Sequence, residues 1–192
     1  MRAINSSSNC IQHDTQNDSN SDHLIIKELK TDDFSIVKDF ILEQHRKLAR
    51  KDFFITDDLN TELPVILEEG LVIGLFHGDV LIGIQAIDMN KENSAILKNI
   101  ISPTYTTSLN IYELGWTIIH TDYRNNSYAH YLVKNIIEMA DISDKCVLLV
   151  TIHPENVAAI HLYEDFGFQP IFQTKYYGYE RVFMLKEVNV HN

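Results

Sequence analysis

The sequence predicts a single mixed α/β domain in which helices cover a β-sheet. Two observations lead to this prediction. Short apolar runs typical of strands alternate with stretches whose apolar residues recur at helical spacing, and the length of 192 residues suits one domain. A chain of this size can bury about 70% of the surface that its unfolded form exposes. We therefore expect one hydrophobic core that needs neither a disulfide nor a structural metal.

Hydrophobic periodicity places the elements along the chain. Residues 1–22 are polar and almost lack aliphatic side chains, so we predict a disordered tail followed by a domain over residues 23–192. Before residue 121 we predict, in order, a strand over 24–29, a helix from about Asp32 to Arg50, a helical or irregular segment to Gly70, a hairpin of 71–76 and 80–87, an unassigned stretch over 90–110, and a strand over 112–120. After residue 121 we predict a helix over 129–140, a strand over 146–152, a helix over 159–166 capped by Gly167, and strands over 169–177 and 181–186.

The composition disfavours several classes of protein. The chain has 16 Lys and Arg against 27 Asp and Glu, and its net charge of -11 repels nucleic-acid phosphates and favours cationic partners such as amines. No apolar run approaches the roughly 18 residues of a membrane span. The two cysteines form neither a disulfide framework nor a zinc site. We expect a cytoplasmic protein that binds no nucleic acid, membrane or metal.

A turn between a predicted strand and a predicted helix offers an anion-binding site. The segment from Tyr123 to Ala129 leads into the helix, and a helix N-terminus presents unpaired N–H groups and a positive dipole end. Arg124 adds a guanidinium that can hold a phosphate with two hydrogen bonds. Phosphate binding is one interpretation of this segment, and an ordinary turn with a solvated arginine is the other.

Two motifs resemble those of the GNAT superfamily of acyl-CoA-dependent N-acyltransferases. The residues from His120 to Arg124, with Ala129, resemble the family's pyrophosphate loop, Q/R-x-x-G-x-G/A, but Ser127 stands where the family has glycine. The segment from Asn156 to Phe168 resembles the family's N-x-x-A-x-x-L-Y-x-x-x-G-F helix. The resemblance implies the GNAT fold, a mixed and mostly antiparallel central sheet flanked by helices, with splayed central strands that form the CoA cleft.

The resemblance also implies acetyl-CoA as co-substrate and no metal. The pantetheine arm is expected beside Thr117, Ile118 and Ile119, whose backbone groups bond it and offer an N–H to the oxyanion. The pyrophosphate is expected on the loop formed by Arg124, Asn125, Asn126, Ser127, Tyr128 and Ala129. Asn156 is a further candidate for contacting pantetheine, although we take helix capping as its main role.

Tyr163 is the candidate general acid, because it matches the family residue that donates its hydroxyl hydrogen to the departing sulfur. A phenol has a reference pKa near 10 and a thiol near 8.5, so hydrogen bonding to the sulfur is a firmer expectation than full proton transfer. Periodicity alone indicates another role for Tyr163, an aromatic residue on the buried stripe of its helix.

Glu113 is the candidate general base. Histone acetyltransferases of the family carry a glutamate at the matching position, and strand alternation is expected to place Glu113, Gly115, Thr117 and Ile119 on one face. A solvated glutamate at a strand end is the alternative interpretation. His120 is a rival base because its reference pKa lies near neutrality.

The segment Lys175-Tyr176-Tyr177 resembles the tyrosine pair of protein N-terminal acetyltransferases, which clamps the substrate peptide. That group has a glutamate where this sequence has Thr151, so we favour pairing of aromatic residues across a hairpin over a peptide clamp.

Together these observations predict an acetyl-CoA-dependent N-acetyltransferase that acts on a primary amine by direct attack in a ternary complex. No residue offers a convincing nucleophile, since Cys146 lies in a predicted buried strand. The acceptor is expected to be a small-molecule or protein amine, and a homodimer is left open. The alternative function is a catalytically weak or inactive GNAT-fold module that binds CoA and regulates, and transfer of a longer acyl group is a third hypothesis.

Overall fold

The structure, a computed structural model, describes residues 24–54, 56, 58–140 and 145–188. Within these ranges the chain forms one mixed sheet of seven strands with helices on both faces, which confirms the predicted α/β class. The predicted tail over residues 1–22 lies outside the described residues.

Each predicted strand is present within the described ranges. The strands are β1 (Leu24–Leu29), β2 (Leu71–His77), β3 (Val80–Asp88), β4 (Asn110–Ile119), β5 (Cys146–Ile152), β6 (Gln169–Tyr176) and β7 (Tyr179–Val188). The α-helices are α1 (Phe34–Lys47), α2 (Leu59–Glu69), α3 (Lys91–Ile101), α4 (Tyr128–Met139) and α5 (Val157–Asp165). Short 3-10 turns lie at Thr31–Asp33, Lys51–Phe53 and Thr121–Tyr123. None of the helices in the described ranges is long and apolar enough to cross a lipid bilayer.

Two helices differ from the sequence prediction. The first, α1, ends at Lys47 rather than near Arg50, because the backbone of Leu48 becomes extended (φ -69°, ψ 136°). The second, α3, occupies the stretch that the sequence left unassigned. Its N-terminus is capped by Asn90, whose side chain accepts hydrogen bonds from the backbone N–H groups of Glu92 (2.8 Å) and Asn93 (3.1 Å).

The strand order of the sheet is β1-β2-β3-β4-β5-β7-β6. Among the described strands only the β4–β5 pair is parallel, and its register runs from Asn110 opposite Cys146 to Leu114 opposite Val150. Both strands continue beyond these last partners without pairing in the described register, so a gap opens between them. The predicted mostly antiparallel sheet with splayed central strands is confirmed.

The core has one layer on each face of the sheet. On one face, α4 and α5 pack against the sheet with side chains that include Leu132, Val133 and Ile136, each 0% exposed. On the other face lie α1 and α2, in one cluster, and α3, in a second. Burial of each such aliphatic side chain contributes roughly 1.5–3 kcal/mol to the stability of the fold. The helices on both faces therefore stabilise the sheet in which β4 and β5 diverge.

A β-bulge in β4 corrects one prediction from the sequence. The register with β3 shifts between Ile84, opposite Ile118, and Ala86, opposite Gly115, and Trp116 has a positive φ of 51°. The extra residue reverses the alternation of side chains along β4. Glu113 therefore faces the α2–α3 side, whereas Thr117 faces the α5 side. The expectation that Glu113, Gly115, Thr117 and Ile119 share one face was wrong.

Candidate active site

Two cavities meet where β4 and β5 separate. The first, which we call the cleft, has a volume of 720 Å³ and runs between the ends of β4 and β5 and the N-terminal turns of α4 and α5. The second, which we call the acidic cavity, has a volume of 510 Å³ and lies against α2, α3 and β4. The two cavities share six lining residues, which are Phe53, Phe54, Leu114, Gly115, Trp116 and Thr151. They are therefore neighbours across a common wall.

The β4 side of the cleft contains Thr117, Ile118 and Ile119, the three residues predicted to hold a pantetheine arm. Ile118 and Ile119 pair with β3 along one edge of the strand. Because the register with β5 ends at Leu114, the other edge of this segment faces the cleft. Its backbone groups are placed to bond an extended ligand as a neighbouring strand would.

The loop before α4 adopts a left-handed conformation without glycine. Asn125 has φ of 65° and Ser127 has φ of 58°, and a left-handed non-glycine residue costs about 1 kcal/mol. The Ser127 side chain is exposed and makes no capping hydrogen bond to α4 within the described part of the chain. The first turn of α4, including Tyr128 and Ala129, lies in the cleft wall. The unpaired N–H groups of a helix N-terminus can bind an anion, so this turn offers an anion-binding site to a ligand in the cleft.

Arg124 and Asn126 stabilise this loop in different ways. Arg124 lies in the cleft wall, and its Nε donates a hydrogen bond to the Ile119 carbonyl oxygen at 3.3 Å. The amide group of Asn126 donates to the carbonyl oxygens of Tyr123 and Arg124, both at 3.2 Å. Asn126 is exposed and turns its amide into the loop, whereas Arg124 can offer the rest of its guanidinium to a phosphate.

Tyr163 projects from α5 into the cleft wall, although only 3% of the residue is exposed. Its hydroxyl oxygen lies 2.6 Å from Oγ1 of Thr117 and 3.5 Å from Nε2 of Gln85. The ring of Phe168 packs edge-on against it, with centroids 5.2 Å apart. Burial raises the pKa of Tyr163, and its hydrogen bonds with Thr117 and Gln85 act in the opposite direction. Tyr163 therefore keeps its proton at neutral pH.

Glu113 lies in the acidic cavity, where Thr151 Oγ1 donates a hydrogen bond to its Oε1 at 3.2 Å. The pKa of Glu113 is raised to about 7, mainly by burial and also by the charges of Asp88 and Glu62, while hydrogen bonds from Asn93 and Thr151 act in the opposite direction. A carboxylate with a pKa near neutrality can accept and release a proton at physiological pH.

Four other carboxylates line the described wall of the acidic cavity with Glu113, namely Asp58, Glu62, Asp88 and Glu92. Burial raises the pKa of both Glu62 and Asp88, and neighbouring carboxylates add to the increase in each case. The only cationic side chain in this wall is Arg181, which donates hydrogen bonds to the carbonyl oxygens of Glu180 (3.1 Å) and Asp52 (2.9 Å). The electrostatic potential of the cavity is therefore negative and favours a cationic ligand.

Asn156 and His120 both stabilise local structure. Asn156 caps α5, with Oδ1 accepting from the Ala159 N–H at 3.3 Å, and it also lies in the cleft wall. His120 caps the Thr121–Tyr123 turn by accepting from the Asp122 N–H at 3.3 Å. Within the described residues, His120 lines neither cavity, and this position favours its role as a turn residue over the role of a base.

The two tyrosines of the final hairpin lie at the acidic cavity. Tyr176 and Tyr177 both line its wall, and their rings meet edge-on with centroids 4.5 Å apart. Tyr176 also pairs with Tyr179 across the β6–β7 hairpin and packs against Phe183 at 5.4 Å. The predicted aromatic pairing across the hairpin is present, and it forms one side of the cavity.

The structure adds residues to the site that the sequence reasoning missed. Gln85 is 0% exposed and contacts the Tyr163 hydroxyl, and a glutamine within the apolar run of β3 is the signal that could have found it. Phe53 and Phe54 stand in the wall between the cavities. They follow Arg50, whose guanidinium contacts Asp52 at 2.7 Å and Glu155 at 2.6 Å and so links this segment to the N-terminal side of α5.

Comparisons with known proteins bear on the family and the fold of the chain. A family model described as the acetyltransferase (GNAT) family matches residues 28–168. No curated protein sequence matches the chain significantly.

Several solved structures are similar to the chain. An acetyltransferase of the GNAT family from Streptococcus pneumoniae has 19% identity and a TM-score of 0.61 over 86% of this chain and 100% of that chain. YncA from Salmonella typhimurium, solved with its cofactor acetyl-CoA, has 16% identity and a TM-score of 0.61 over 88% of this chain and 96% of that chain. Arabidopsis thaliana NAA60 in complex with acetyl-CoA has 13% identity and a TM-score of 0.63 over 86% of this chain and 100% of that chain. At these identities the similarity is one of fold.

Proposed function

The chain belongs to the GNAT acetyltransferase family, and from this premise we propose that it transfers an acetyl group from acetyl-CoA to a primary amine by direct attack in a ternary complex. One observation carries the proposal. A protonated Tyr163 faces the cleft and a titratable Glu113 faces the acidic cavity, and the shared wall at Gly115 and Trp116 stands between them. A donor substrate and an acceptor substrate can thus meet from opposite sides.

The residues of the cleft fit acetyl-CoA. The free edge of β4 from Thr117 to Ile119 suits the amide groups of pantetheine, and the first turn of α4 with Arg124 suits the pyrophosphate. Ser127 is exposed and lines the cleft, so its hydroxyl can itself form a hydrogen bond to a phosphate. When bound, acetyl-CoA supplies a thioester whose carbonyl carbon bonds to the amine nitrogen as the carbon–sulfur bond breaks.

In this reaction Glu113 acts as the general base and Tyr163 as the hydrogen-bond donor to the leaving sulfur. Glu113 accepts the proton that an ammonium must lose before its nitrogen can attack, directly or through water. Tyr163 donates a hydrogen bond at the position of the sulfur, which takes up one proton as the nitrogen gives one up. Because the phenol pKa is raised, we assign Tyr163 to stabilising the sulfur by hydrogen bonding rather than to full ionisation.

The acidic cavity favours an acceptor that carries positive charge. Its carboxylates with raised pKa values, among them Glu62 and Asp88, destabilise one another, and an ammonium would relieve that repulsion. The rings of Tyr176 and Tyr177 add faces that attract cations. We therefore propose a small cationic amine or a lysine-like amine as the acceptor.

A turnover assay tests the proposed function. We expect the protein to release free thiol from acetyl-CoA in the presence of alkyl diamines, aminoglycosides or lysine-containing peptides, and to release much less with neutral hydroxyl analogues. Mass spectrometry should find one added acetyl group on nitrogen. A panel that contains these three amine classes and gives no thiol release and no acetylated product would contradict the proposal.

A binding module without catalysis is the second candidate, and the two left-handed residues in the glycine-free loop favour it. Thermal melting separates the two functions when it is combined with the turnover assay. Acetyl-CoA at 100 times its Kd stabilises a protein by roughly 2.7 kcal/mol. A raised Tm without thiol release would indicate the module, and a raised Tm with thiol release would indicate the enzyme.

We expect Arg124→Ala to weaken acetyl-CoA binding by about tenfold, because it removes a charge-assisted hydrogen bond to phosphate. Isothermal titration calorimetry would measure the change in Kd. Lys134→Ala is the matched control, since it removes one positive charge from the exposed surface of α4. Equal Kd values for the two variants would place the pyrophosphate elsewhere.

A further inference from the structure

A chain of buried hydrogen bonds connects Gln85 on β3 to Tyr163 on α5. Gln85 is 0% exposed, and its Nε2 lies 3.0 Å from the Gly115 carbonyl oxygen and 3.5 Å from the Tyr163 hydroxyl. Its Oε1 accepts a hydrogen bond from Thr117 Oγ1. A fully buried glutamine is rare and needs partners for its polar atoms, and here both ends of the amide have them.

The direction of each hydrogen bond follows from the chemistry of the groups. The Gly115 carbonyl can only accept, so the NH2 end of Gln85 must face it, and this requirement fixes the orientation of the amide. The Oε1 of Gln85 can only accept, so the single hydroxyl hydrogen of Thr117 points to it. At the 2.6 Å contact between Thr117 and Tyr163 the donor must then be Tyr163. The order is Tyr163 to Thr117 to Gln85.

The β-bulge makes this contact geometrically available. The register skips Gln85 between the pairs of Ile84 and Ala86, and the positive φ of Trp116 brings Thr117 to the α5 side of the sheet. Without the extra residue, Thr117 would share a face with Glu113 and could not reach the hydroxyl of Tyr163.

We propose that Thr117 and Gln85 are positioning residues that hold the Tyr163 hydroxyl in the cleft, with its oxygen fixed and its hydrogen free to turn from Thr117 to the leaving sulfur. This inference rests on the proposed function. When the hydrogen turns, the phenol oxygen keeps the Gln85 N–H as a donor within 3.5 Å, and a hydrogen bond to that oxygen favours the charge that develops there.

The experiment is a set of Thr117 variants in two backgrounds. Thr117→Val keeps the β-branched shape and removes the hydroxyl, and Thr117→Ser keeps the hydroxyl. We expect Thr117→Val to lower kcat about tenfold, with the KM for acetyl-CoA within about twofold of that of the unchanged chain, and Thr117→Ser to restore most of the loss. In the Tyr163→Phe background, Thr117→Val should have no further effect, because it acts through that hydroxyl. An equal loss in both backgrounds, or an unchanged kcat, would overturn the proposal.

A second measurement does not depend on turnover. In protein labelled with carbon-13 at the tyrosine ζ position, the Tyr163 signal is identified by its loss in Tyr163→Phe, and we expect Thr117→Val and Gln85→Met to displace it. Because Gln85 is fully buried, Gln85→Met is also expected to lower the stability of the protein. If that variant does not fold, the Thr117 variants alone test the positioning role. An undisplaced Tyr163 signal in Thr117→Val would overturn the positioning role. If the protein acetylates no amine, the proposed function is overturned. The carbon-13 signal of Tyr163 would still test its contact with Thr117, because that measurement does not depend on turnover.

Discussion

Tyr163→Phe is expected to lower kcat by about 10²–10³-fold while the Kd for acetyl-CoA stays within about twofold. The variant keeps the ring that packs against Phe168 and removes only the hydroxyl. Hydrogen bonds aimed at charge that develops in the transition state are worth roughly this factor in a site shielded from water, and they contribute little to binding of the ground state. Steady-state kinetics and calorimetry on the same preparation measure the two quantities.

Tyr131→Phe is the matched control for this variant. Tyr131 lies on α4, is partly buried and packs at the edge of the same core cluster, but it lies outside the described walls of both cavities. We expect its kcat to equal that of the unchanged protein within about twofold. If Tyr163→Phe turned over at the rate of Tyr131→Phe, Tyr163 would have no part in the chemistry.

Glu113→Gln is expected to lower kcat/KM by about 10²-fold or more at pH 8 and to remove a titration from the pH profile. With a pKa of about 7, the carboxylate of the unchanged protein is protonated at pH 6 and ionised at pH 8, so kcat/KM should rise through this range to a plateau. The amide of glutamine cannot accept the ammonium proton, and the rise should be absent. Glu138→Gln, on the exposed surface of α4, is the control for the loss of one charge.

The buried carboxylate of Glu113 should also make the stability of the protein depend on pH. Stability is expected to fall over the pH range in which kcat/KM rises. The pKa of this carboxyl group is raised from 4.5 to about 7 by folding, so the stability that this group contributes is fully present below pH 4.5 and is lost as the pH rises through 7. Since one unit in a pKa corresponds to about 1.4 kcal/mol, a shift from 4.5 to about 7 destabilises the fold with ionised Glu113 by roughly 3 kcal/mol. Urea titrations at pH 5 and pH 8 should find that Glu113→Gln gains stability relative to the unchanged protein as pH increases. A stability difference that does not change with pH would contradict the burial of this charge.

The strands and the α4 and α5 helices could be predicted from the sequence because burial imposes a strong pattern on them. Leu132, Val133 and Ile136 recur at helical spacing because each packs against the sheet. Helix α3 gave a weaker pattern, since Leu97 and Ile101 are its two fully buried aliphatic side chains while Ile96 is 55% exposed. A short helix with one narrow buried stripe is difficult to distinguish from an irregular segment.

Most of the proposed catalytic and cofactor-binding residues could be named from two local motifs, but their arrangement could not. The positive φ of Trp116 could not be predicted from the sequence, because tryptophan rarely adopts a left-handed backbone conformation. Consequently Glu113 was expected on the face of Thr117. The contact of Gln85 with Tyr163 joins residues 78 positions apart, and only the tertiary fold brings such residues together.

The inserted residue in β4 also has a consequence for how this protein could diversify. Because the alternation of β4 reverses at Trp116, the proposed base Glu113 faces the side of α2 and α3, whereas Thr117, which contacts the proposed acid Tyr163, faces the side of α5. Substitutions beneath α2 and α3 can therefore alter which nucleophile is accepted without disturbing the layer beneath α4 and α5. A single-residue deletion at the bulge would turn Thr117 to the side of Glu113 and remove its contact with Tyr163.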